Sequence, residues 1–206
     1  MPLIVFEGID GCGKTTQINQ VKAILEKEQS PDSWMIIREP GGTPLGEKIR
    51  TLLLEPDTAC CSEAEFLLYL ASRTQLVSSV IKPALEAGKI VILDRYYYST
   101  IAYQLAGLRL DFMPSGNLER LIKASSLWLE PDLVIYLDIP LEIASARRES
   151  RGKDRIEQRK KDYYKRVLES YRKQALNDLF YKIDGSLSLE EVTKAVLAIF
   201  YSKGFL

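Results

Sequence analysis

The sequence contains no histidine, and this absence limits the kinds of catalysis that it can support. Serine and cysteine nucleophiles that depend on an imidazole base are excluded, as are zinc sites of the His-Glu-x-x-His type. Any catalysis must therefore use carboxylates, lysine, arginine, hydroxyl groups, backbone amides or a bound metal ion.

An excess of either sign of charge is also absent, because Lys+Arg and Asp+Glu both number 28 among 206 residues. A protein that coats nucleic acid or lies on an anionic membrane carries an excess of basic residues. We therefore expect neither nucleic acid nor a membrane as a partner.

Cysteines are few, and long apolar runs are missing. Cys12, Cys60 and Cys61 lack the paired spacings of a metal site, and adjacent cysteines rarely form a disulfide with each other. No apolar run approaches the roughly 20 residues of a membrane span, and no signal-peptide pattern precedes the first predicted strand. These features predict a cytoplasmic protein in a reducing compartment.

What the sequence does contain is a regular alternation of short apolar runs and amphipathic stretches. The runs predict strands at Pro2–Glu7, Trp34–Arg38, Ile90–Asp94, Leu133–Asp138 and Leu179–Ile183. The stretches predict helices at Lys14–Gln29, Leu45–Leu54, Glu63–Ala87, Ser99–Ala106, Gly116–Leu127, Leu141–Ser150, Asp162–Asn177 and Ser188–Tyr201. This order indicates an α/β fold with a five-stranded parallel sheet, helices on both faces, and ligands at the carboxyl ends of the strands. We expect one domain over residues 1–206.

A phosphate-binding motif follows the first predicted strand and opens the first predicted helix. Residues 8–15 are G-I-D-G-C-G-K-T and match G-x-x-x-x-G-K-[ST], which predicts a P-loop NTPase fold. Backbone N–H groups of such a loop point inward toward phosphate, Lys14 places a cation on the β- and γ-phosphates, and Thr15 offers a hydroxyl to Mg²⁺. The predicted ATP-binding residues are Gly8, Ile9, Asp10, Gly11, Cys12, Gly13, Lys14, Thr15 and Thr16.

Charged residues after the third predicted strand indicate a second ligand beside the ATP. Asp94 and Arg95 come directly after that strand, so both lie at the ligand edge of the sheet. The carboxylate of Asp94 suits Mg²⁺ or its water, or could orient an acceptor, and the guanidinium of Arg95 suits a phosphate dianion as a bidentate partner.

Polar and aromatic side chains on two predicted helices favour a mononucleotide as this second ligand. Tyr69 and Arg73 are one turn apart and project to the same side of their helix. Thr100, Tyr103 and Gln104 share one helical face just beyond the third strand. An aromatic ring can stack on a base, while guanidinium, amide and hydroxyl groups can bind its edges and its phosphate.

The residues leave more than one function open at this point. A guanine-binding Asn-Lys-x-Asp sequence is absent, as is an Asp-x-x-Gly switch motif after a strand, which argues against a GTPase. One alternative is another P-loop mononucleotide or small-molecule kinase, acting for example on dUMP, a deoxynucleoside or shikimate. Another is a non-catalytic nucleotide switch or assembly ATPase, which would leave Arg73, Arg95 and Tyr103 without a role.

Several motifs together resemble those of the thymidylate kinase family, in the same order and over nearly the whole chain. They are Phe6–Thr16 (FEGIDGCGKTT), Arg38–Thr43 (REPGGT), Asp94–Tyr96 with the nearby Ala102–Gln104, Pro131–Asp132, and Asp154–Glu157 (DRIE). The resemblance implies transfer of the γ-phosphoryl of ATP to dTMP, dependence on Mg²⁺, and a homodimer.

The same resemblance implies roles for single residues around dTMP. Tyr69 would stack on thymine, and Arg73 and Gln104 would hydrogen-bond its edge. The 5′-phosphate would be held by Arg95 together with a second arginine, Arg50.

The sugar and metal side of the acceptor is implied in the same way. Tyr103 would lie where a 2′-hydroxyl would sit, and Glu39 would approach the acceptor or the metal, with the Glu39–Pro40 bond in the cis form. Asp10 would contact the acceptor sugar or its metal, and Thr15 and Asp94 would be the metal-binding residues.

The resemblance further implies that the arginine of the transition state lies in a basic lid, residues 147–161, because the phosphate loop carries Asp10-Gly11 and no arginine. A closing basic segment adds cation density to the transferring phosphoryl group and excludes water. The candidates are Arg147, Arg148, Arg151, Lys153 and Arg155, of which Arg151 beside Gly152 is the first choice. The predicted catalytic residues are Lys14, Asp10, Arg95 and Arg151.

Overall fold

The computed structural model describes residues 1–114, 116–148, 155–156 and 158–206. Within these residues the sheet consists of β1 (Leu3–Glu7), β2 (Trp34–Arg38), β3 (Ile90–Asp94), β4 (Leu133–Asp138) and β5 (Phe180–Asp184). Every pairing is parallel, and the strand order is β2-β3-β1-β4-β5. The predicted five-stranded parallel sheet is therefore confirmed.

Helices connect the strands, and most of their bounds lie within a few residues of the predicted ones. They are α1 (Lys14–Glu28), α2 (Pro44–Leu54), α3 (Ser62–Leu76), α4 (Lys82–Glu86), α5 (Tyr97–Thr100), α6 (Asn117–Ser125), α7 (Leu141–Arg148), α8 (Lys161–Gln174) and α9 (Leu189–Ser202). The end of the predicted helix Leu141–Ser150 lies outside the described residues beyond Arg148.

Two predicted helices differ from the structure because each contains a π-helical segment. The stretch predicted as one helix over Glu63–Ala87 is α3, then a π-helical turn at Val77–Ile81, then α4. The stretch predicted over Ser99–Ala106 starts earlier, as α5, and continues as a π-helix at Ile101–Gly107.

The core is built around the central strands, which are covered on both faces. All five residues of β1 are buried, and successive side chains of a strand point to opposite faces of the sheet. Helix α1 contacts β1 and β3, and α9 contacts α1 and β5. The apolar runs of the sequence therefore become a sheet enclosed between helices, as expected for parallel strands.

Local sequence signals fix where several helices begin. The hydroxyl of Thr43 accepts a hydrogen bond from the N–H of Gly46 at 2.9 Å and caps α2, with Pro44 as its first residue. At the start of α9, Ser188 and Glu191 form a capping box, in which each side chain binds the other residue's backbone N–H.

The parallel arrangement places the chemistry-bearing residues at one edge of the sheet. Strand β1 leads directly into the glycine-rich loop before α1, and its neighbour β3 leads into Asp94 and Arg95. Because parallel strands all end at the same edge, these side chains come together there. Within the described residues, none of the helices has the length and apolar character needed to cross a membrane.

Candidate active site

The phosphate loop between β1 and α1 can form only because glycine occupies its turns. Gly8, Gly11 and Gly13 have φ values of 139°, 85° and 102°, in a region that other residues rarely adopt. A Cβ atom on Gly8 would lie 2.6 Å from the carbonyl oxygen of Leu137, and one on Gly11 would lie 2.6 Å from that of Ala144. The backbone thus curls tightly and presents the amino end of α1 to the edge of the sheet.

Lys14, the first residue of α1, is folded back over this loop. Its ammonium group donates hydrogen bonds to the carbonyl oxygens of Gly8 at 3.0 Å and Ile9 at 3.2 Å, and the residue is only 6% exposed. Gly8 and Ile9 therefore contribute to the site through carbonyls that hold the lysine. The cation is held directly at the loop, where a phosphate chain would lie.

A large cavity opens in front of the loop, and we call it the phosphate cavity. Its lining includes the predicted loop residues Asp10, Gly11, Cys12, Gly13, Lys14, Thr15 and Thr16. It also includes residues that the sequence did not single out for ATP, namely Gln17, Arg38, Gly185, Leu187, Leu189 and Val192. The last four lie at the carboxyl end of β5 and the start of α9. Ligands of parallel sheets generally bind at the carboxyl ends of the strands, and this rule could have indicated these residues from the sequence.

Thr15 and Asp94 form a pair of oxygen donors at the base of the phosphate cavity. The Thr15 hydroxyl donates to Asp94 Oδ2 at 3.2 Å. In the described part of the chain, Asp94 Oδ1 is a buried oxygen without a hydrogen-bond partner. The Thr15 hydroxyl and the Asp94 carboxylate therefore suit a hard cation such as Mg²⁺. This ion prefers oxygen ligands and binds protein oxygens and phosphate oxygens at the same time.

A second cavity, which we call the acceptor cavity, adjoins the first. It is lined by all the residues predicted to surround dTMP, which are Asp10, Glu39, Arg50, Tyr69, Arg73, Arg95, Thr100, Tyr103 and Gln104. The sequence did not indicate five further lining residues, Pro40, Leu54, Tyr96, Ser99 and Ile156. The structure thus brings the predicted set into one pocket from α2, α3, the helical segment after β3, and the loops that follow β1, β2 and β3.

The pair of Arg73 and Glu39 is deeply buried in the acceptor cavity. Arg73 Nε lies 2.9 Å from Glu39 Oε2, with side-chain exposures of 2% and 4%, and Arg73 Nη2 donates to Thr100 Oγ1 at 2.8 Å. Burial raises the pKa of Glu39 to about 7, although the guanidinium of Arg73 opposes the shift. Among the described residues, the remaining donor Arg73 Nη1 is buried without a partner, so it is available to a ligand.

The charged group nearest the phosphate loop consists of Asp10, Arg95 and Tyr103. Arg95 Nη2 lies 2.6 Å from Asp10 Oδ1, and the Tyr103 hydroxyl donates to Asp10 Oδ2 at 2.8 Å. Burial would raise the pKa of Asp10, but the charges of Arg95 and Lys14 outweigh it and hold that pKa well below its usual range. Arg95 itself has a φ of 74° and its guanidinium lies over the Tyr103 ring. The site therefore keeps a carboxylate and a guanidinium charged at its centre.

Arg50 approaches the same centre from α2. Its Nη1 atom donates to the carbonyl oxygen of Pro40 at 3.0 Å. The Glu39–Pro40 peptide bond is cis, which confirms the expectation drawn from the family motif.

The two cavities meet at charged residues. Asp10, Glu39, Arg50 and Arg95 line both of them. A ligand in the phosphate cavity and a ligand in the acceptor cavity would therefore share one boundary made of two carboxyl and two guanidinium groups.

The structure distinguishes the basic-lid candidates for the transition-state arginine by their contacts. Arg147 lines the phosphate cavity and its Nη1 atom donates to the carbonyl oxygen of Gly185 at 3.0 Å. Arg148 also lines that cavity, but its guanidinium lies over the ring of Tyr164. Arg155 Nε donates to a backbone oxygen at the end of α2. Arg151 and Lys153 lie outside the described residues.

A glycine-rich loop that holds a lysine at a phosphate cavity, next to a second cavity bounded by arginines, defines a phosphotransferase of the P-loop class. The model of the family described as thymidylate kinase matches residues 6–196. The chain belongs to the thymidylate kinase family, whose members are ATP-dependent nucleoside monophosphate kinases.

Curated relatives match over nearly their whole length. The thymidylate kinase of Fervidobacterium nodosum is 43% identical over 198 residues, covering 96% of this chain and 97% of the relative. That of Synechococcus sp. (strain WH7803) is 43% identical over 203 residues, covering 94% and 92%. That of Neisseria meningitidis serogroup C is 41% identical over 196 residues, covering 94% and 93%.

Proposed function

We propose that this protein transfers the γ-phosphoryl group of ATP to dTMP, giving dTDP and ADP. The observation that carries the proposal is the shared boundary of the two cavities, where Asp10, Glu39, Arg50 and Arg95 line both. Phosphoryl transfer requires the donor and acceptor to lie end to end with their charges neutralised, and this boundary supplies that place.

ATP occupies the phosphate cavity in this proposal. Its β- and γ-phosphates bind the loop amides and Lys14, whose ammonium already lies at the loop. The adenosine extends toward Leu187 and Val192, whose apolar side chains line the same cavity together with Gly185.

The acceptor cavity binds dTMP with its phosphate toward that boundary. Arg95 and Arg50 hold the 5′-phosphate, because both guanidinium groups lie where the cavities meet. Tyr103 lies beside the sugar with its hydroxyl on Asp10.

The base lies deeper, on α3 and the π-helical segment. Tyr69 stacks on the thymine ring, and Arg73 Nη1 supplies a donor to the edge of the ring. Gln104 supplies the second polar contact, while Thr100 holds Arg73 in place.

Charge on the transferring group is neutralised by the protein and by a metal ion. Lys14 acts from the loop, and Arg151 acts from the basic lid. Thr15 and Asp94 would hold Mg²⁺, which would neutralise charge on the β- and γ-phosphates.

Further features belong to the same proposal. We propose a single domain over residues 1–206, a cytoplasmic location, and a homodimer, the last from the family resemblance. Exposed leucines on the two adjacent helices α2 and α3, Leu52 and Leu67, supply apolar surface for such a contact. Light scattering coupled to size-exclusion chromatography would show a mass near 47 kDa if the homodimer forms, about twice the 23.4 kDa chain.

The proposal is tested by measuring ADP release with Mg²⁺ and ATP across a set of acceptors. We expect a strong preference for dTMP over dUMP, thymidine and shikimate. Slow hydrolysis that no acceptor stimulates would favour the nucleotide-switch alternative. Preference for another acceptor would favour a different small-molecule kinase.

A further inference from the structure

A buried carboxylate that lies beside the acceptor cavity has no role in the proposal so far. Glu65 lies on α3, two helical turns before Arg73 and one before Tyr69, and is fully buried. Its Oε2 atom faces Arg155 Nη2 at 2.9 Å and forms a second ion pair with Arg159 Nη2. Two guanidinium groups pair with this one carboxyl group, and the oxygens of a carboxylate can only accept hydrogen bonds.

The other oxygen of this carboxylate binds Gln104, which lines the acceptor cavity. Gln104 Nε2 donates to Glu65 Oε1 at 3.0 Å. A glutamine amide has a donor end and an acceptor end, and these are assigned from their hydrogen-bond partners. Because the carboxylate can only accept, the NH₂ end must face Glu65. The carbonyl end of Gln104 is then the end left for a ligand.

We infer that Glu65 is a specificity-determining residue of the acceptor site, because it fixes the amide of Gln104 as a hydrogen-bond acceptor toward the base. This inference rests on the proposed function. Toward the base, Arg73 then presents the donor Nη1 and Gln104 presents the acceptor Oε1, while Glu39 Oε1 is a further buried oxygen without a partner among the described residues.

This donor and acceptor match the edge of thymine, which presents the O4 acceptor and the N3–H donor. Uracil presents the same two groups, whereas cytosine presents an N4 amino donor and an N3 acceptor. A cytosine in this site would place donor against donor at Arg73 and acceptor against acceptor at Gln104. Arg73 disfavours cytosine directly, and Glu65 adds to this at the Gln104 contact without touching the base.

The test compares kcat/KM for dTMP, dUMP and dCMP in the unmodified protein and in Glu65→Gln. A glutamine at this position can donate or accept, so the Gln104 amide is free to turn. We expect the preference for dTMP over dCMP to fall at least about tenfold, since an unmatched buried polar pair costs about that factor or more. The preference for dTMP over dUMP should stay within about twofold, because both bases present the same edge.

Two matched variants separate this role from simple anchoring of the arginines. Arg159→Gln removes one cation and keeps the carboxylate, so its preference for dTMP over dCMP should remain that of the unmodified protein. The double variant Glu65→Gln/Arg159→Gln removes one charge of each sign and preserves the local charge balance. It should show the reduced preference even if Glu65→Gln alone is too unstable to assay.

The outcomes are distinct. An unchanged dTMP-to-dCMP preference in the folded Glu65 variants overturns the inference, as does an equal fall in the dTMP-to-dUMP preference, which would indicate a loosened pocket. Failure of the unmodified protein to phosphorylate dTMP would instead overturn the proposed function and this inference with it.

Discussion

At the scale of single residues, Lys14 is the cation held most closely at the phosphate loop. Replacing it with alanine removes the ammonium that lies 3.0 Å from the Gly8 carbonyl. We expect kcat to fall at least about 10³-fold, because a cation on the transferring group inside a cavity is worth several kcal/mol in the transition state. Steady-state ADP release at saturating ATP and dTMP measures this effect.

The control for that substitution lies on the same helix. Lys22 is exposed and forms an ion pair with Glu26 on the surface of the helix, so Lys22→Ala should leave kcat unchanged. A kcat for Lys14→Ala within tenfold of the unmodified enzyme would remove Lys14 from the catalytic group.

The arginine of the lid is a second question at this scale. We expect Arg151→Ala to lower kcat far more than it raises the KM for ATP, because the guanidinium would act mainly in the transition state. An unchanged kcat would exclude this role for Arg151. Arg147 would then be the next candidate. It lines the phosphate cavity as Arg148 does, but the guanidinium of Arg148 lies over the Tyr164 ring and that of Arg155 is paired with Glu65.

At the scale of elements, the strands were predicted more closely than the helices. The bounds of Trp34–Arg38, Ile90–Asp94 and Leu133–Asp138 agree with the structure, because each parallel strand here is a continuous apolar run ended by a polar residue. The π-helical segments Val77–Ile81 and Ile101–Gly107 were not predicted, because one extra residue in a turn leaves the apolar pattern close to that of an α-helix.

The residues of the candidate site also differ in how well the sequence predicts them. Residues within or just after recognisable motifs, such as Lys14 and Arg95, could be placed from the sequence. The contacts of Glu65 could not, because its partners Gln104 and Arg159 lie 39 and 94 residues away and no local pattern links them. Only the packing of α3 against the later helical segments brings them together.

The contact between the phosphate loop and α7 leads to a prediction about elements. A Cβ atom at Gly11 would lie 2.6 Å from the backbone oxygen of Ala144 in α7, and the φ of Gly11 is 85°. Gly11→Ala must therefore move the loop or the helix. We expect kcat/KM for ATP to fall about 10²-fold, since a displacement of about 1 Å at reacting groups has that effect.

Gly88 provides the matched control for backbone strain. Its φ is 81°, but a Cβ atom there would meet no atom within 4 Å. Gly88→Ala should therefore lower stability by about 1 kcal/mol and leave kcat/KM for ATP unchanged. Equal kinetic losses in both variants would show that strain alone, and not the clash with α7, causes the effect.

At the scale of the whole molecule, the formal net charge is zero, but charged groups of both signs are concentrated at the site. Arginines and Lys14 gather where two anionic nucleotides would meet, and buried carboxylates lie among them. Arg95 holds Asp10 in an ion pair that a bound phosphate can compete for, and Arg73 holds Glu39 in a second ion pair deeper in the acceptor cavity. The molecule therefore carries buried carboxyl groups whose protonation is linked to its folding.

That linkage gives a prediction for the stability of the whole protein against pH. Burial raises the pKa of Glu39 to about 7 and also raises the pKa of Glu7, whereas in the unfolded chain both lie near 4.5. Between pH 4.5 and 7 the folded protein therefore binds more protons than the unfolded chain. The free energy of unfolding should fall as the pH rises through this interval.

Glu39→Gln removes one of these two groups. The decrease in the free energy of unfolding with rising pH should therefore be smaller in this variant, by no more than about 3 kcal/mol. Urea denaturation at several pH values between 5 and 8 measures the free energy of unfolding of both proteins. Glu26→Gln, at an exposed carboxyl, should keep the slope of the unmodified protein. If Glu39→Gln kept that slope as well, Glu39 would be charged across the whole interval, and its ion pair with Arg73 would outweigh the cost of burial.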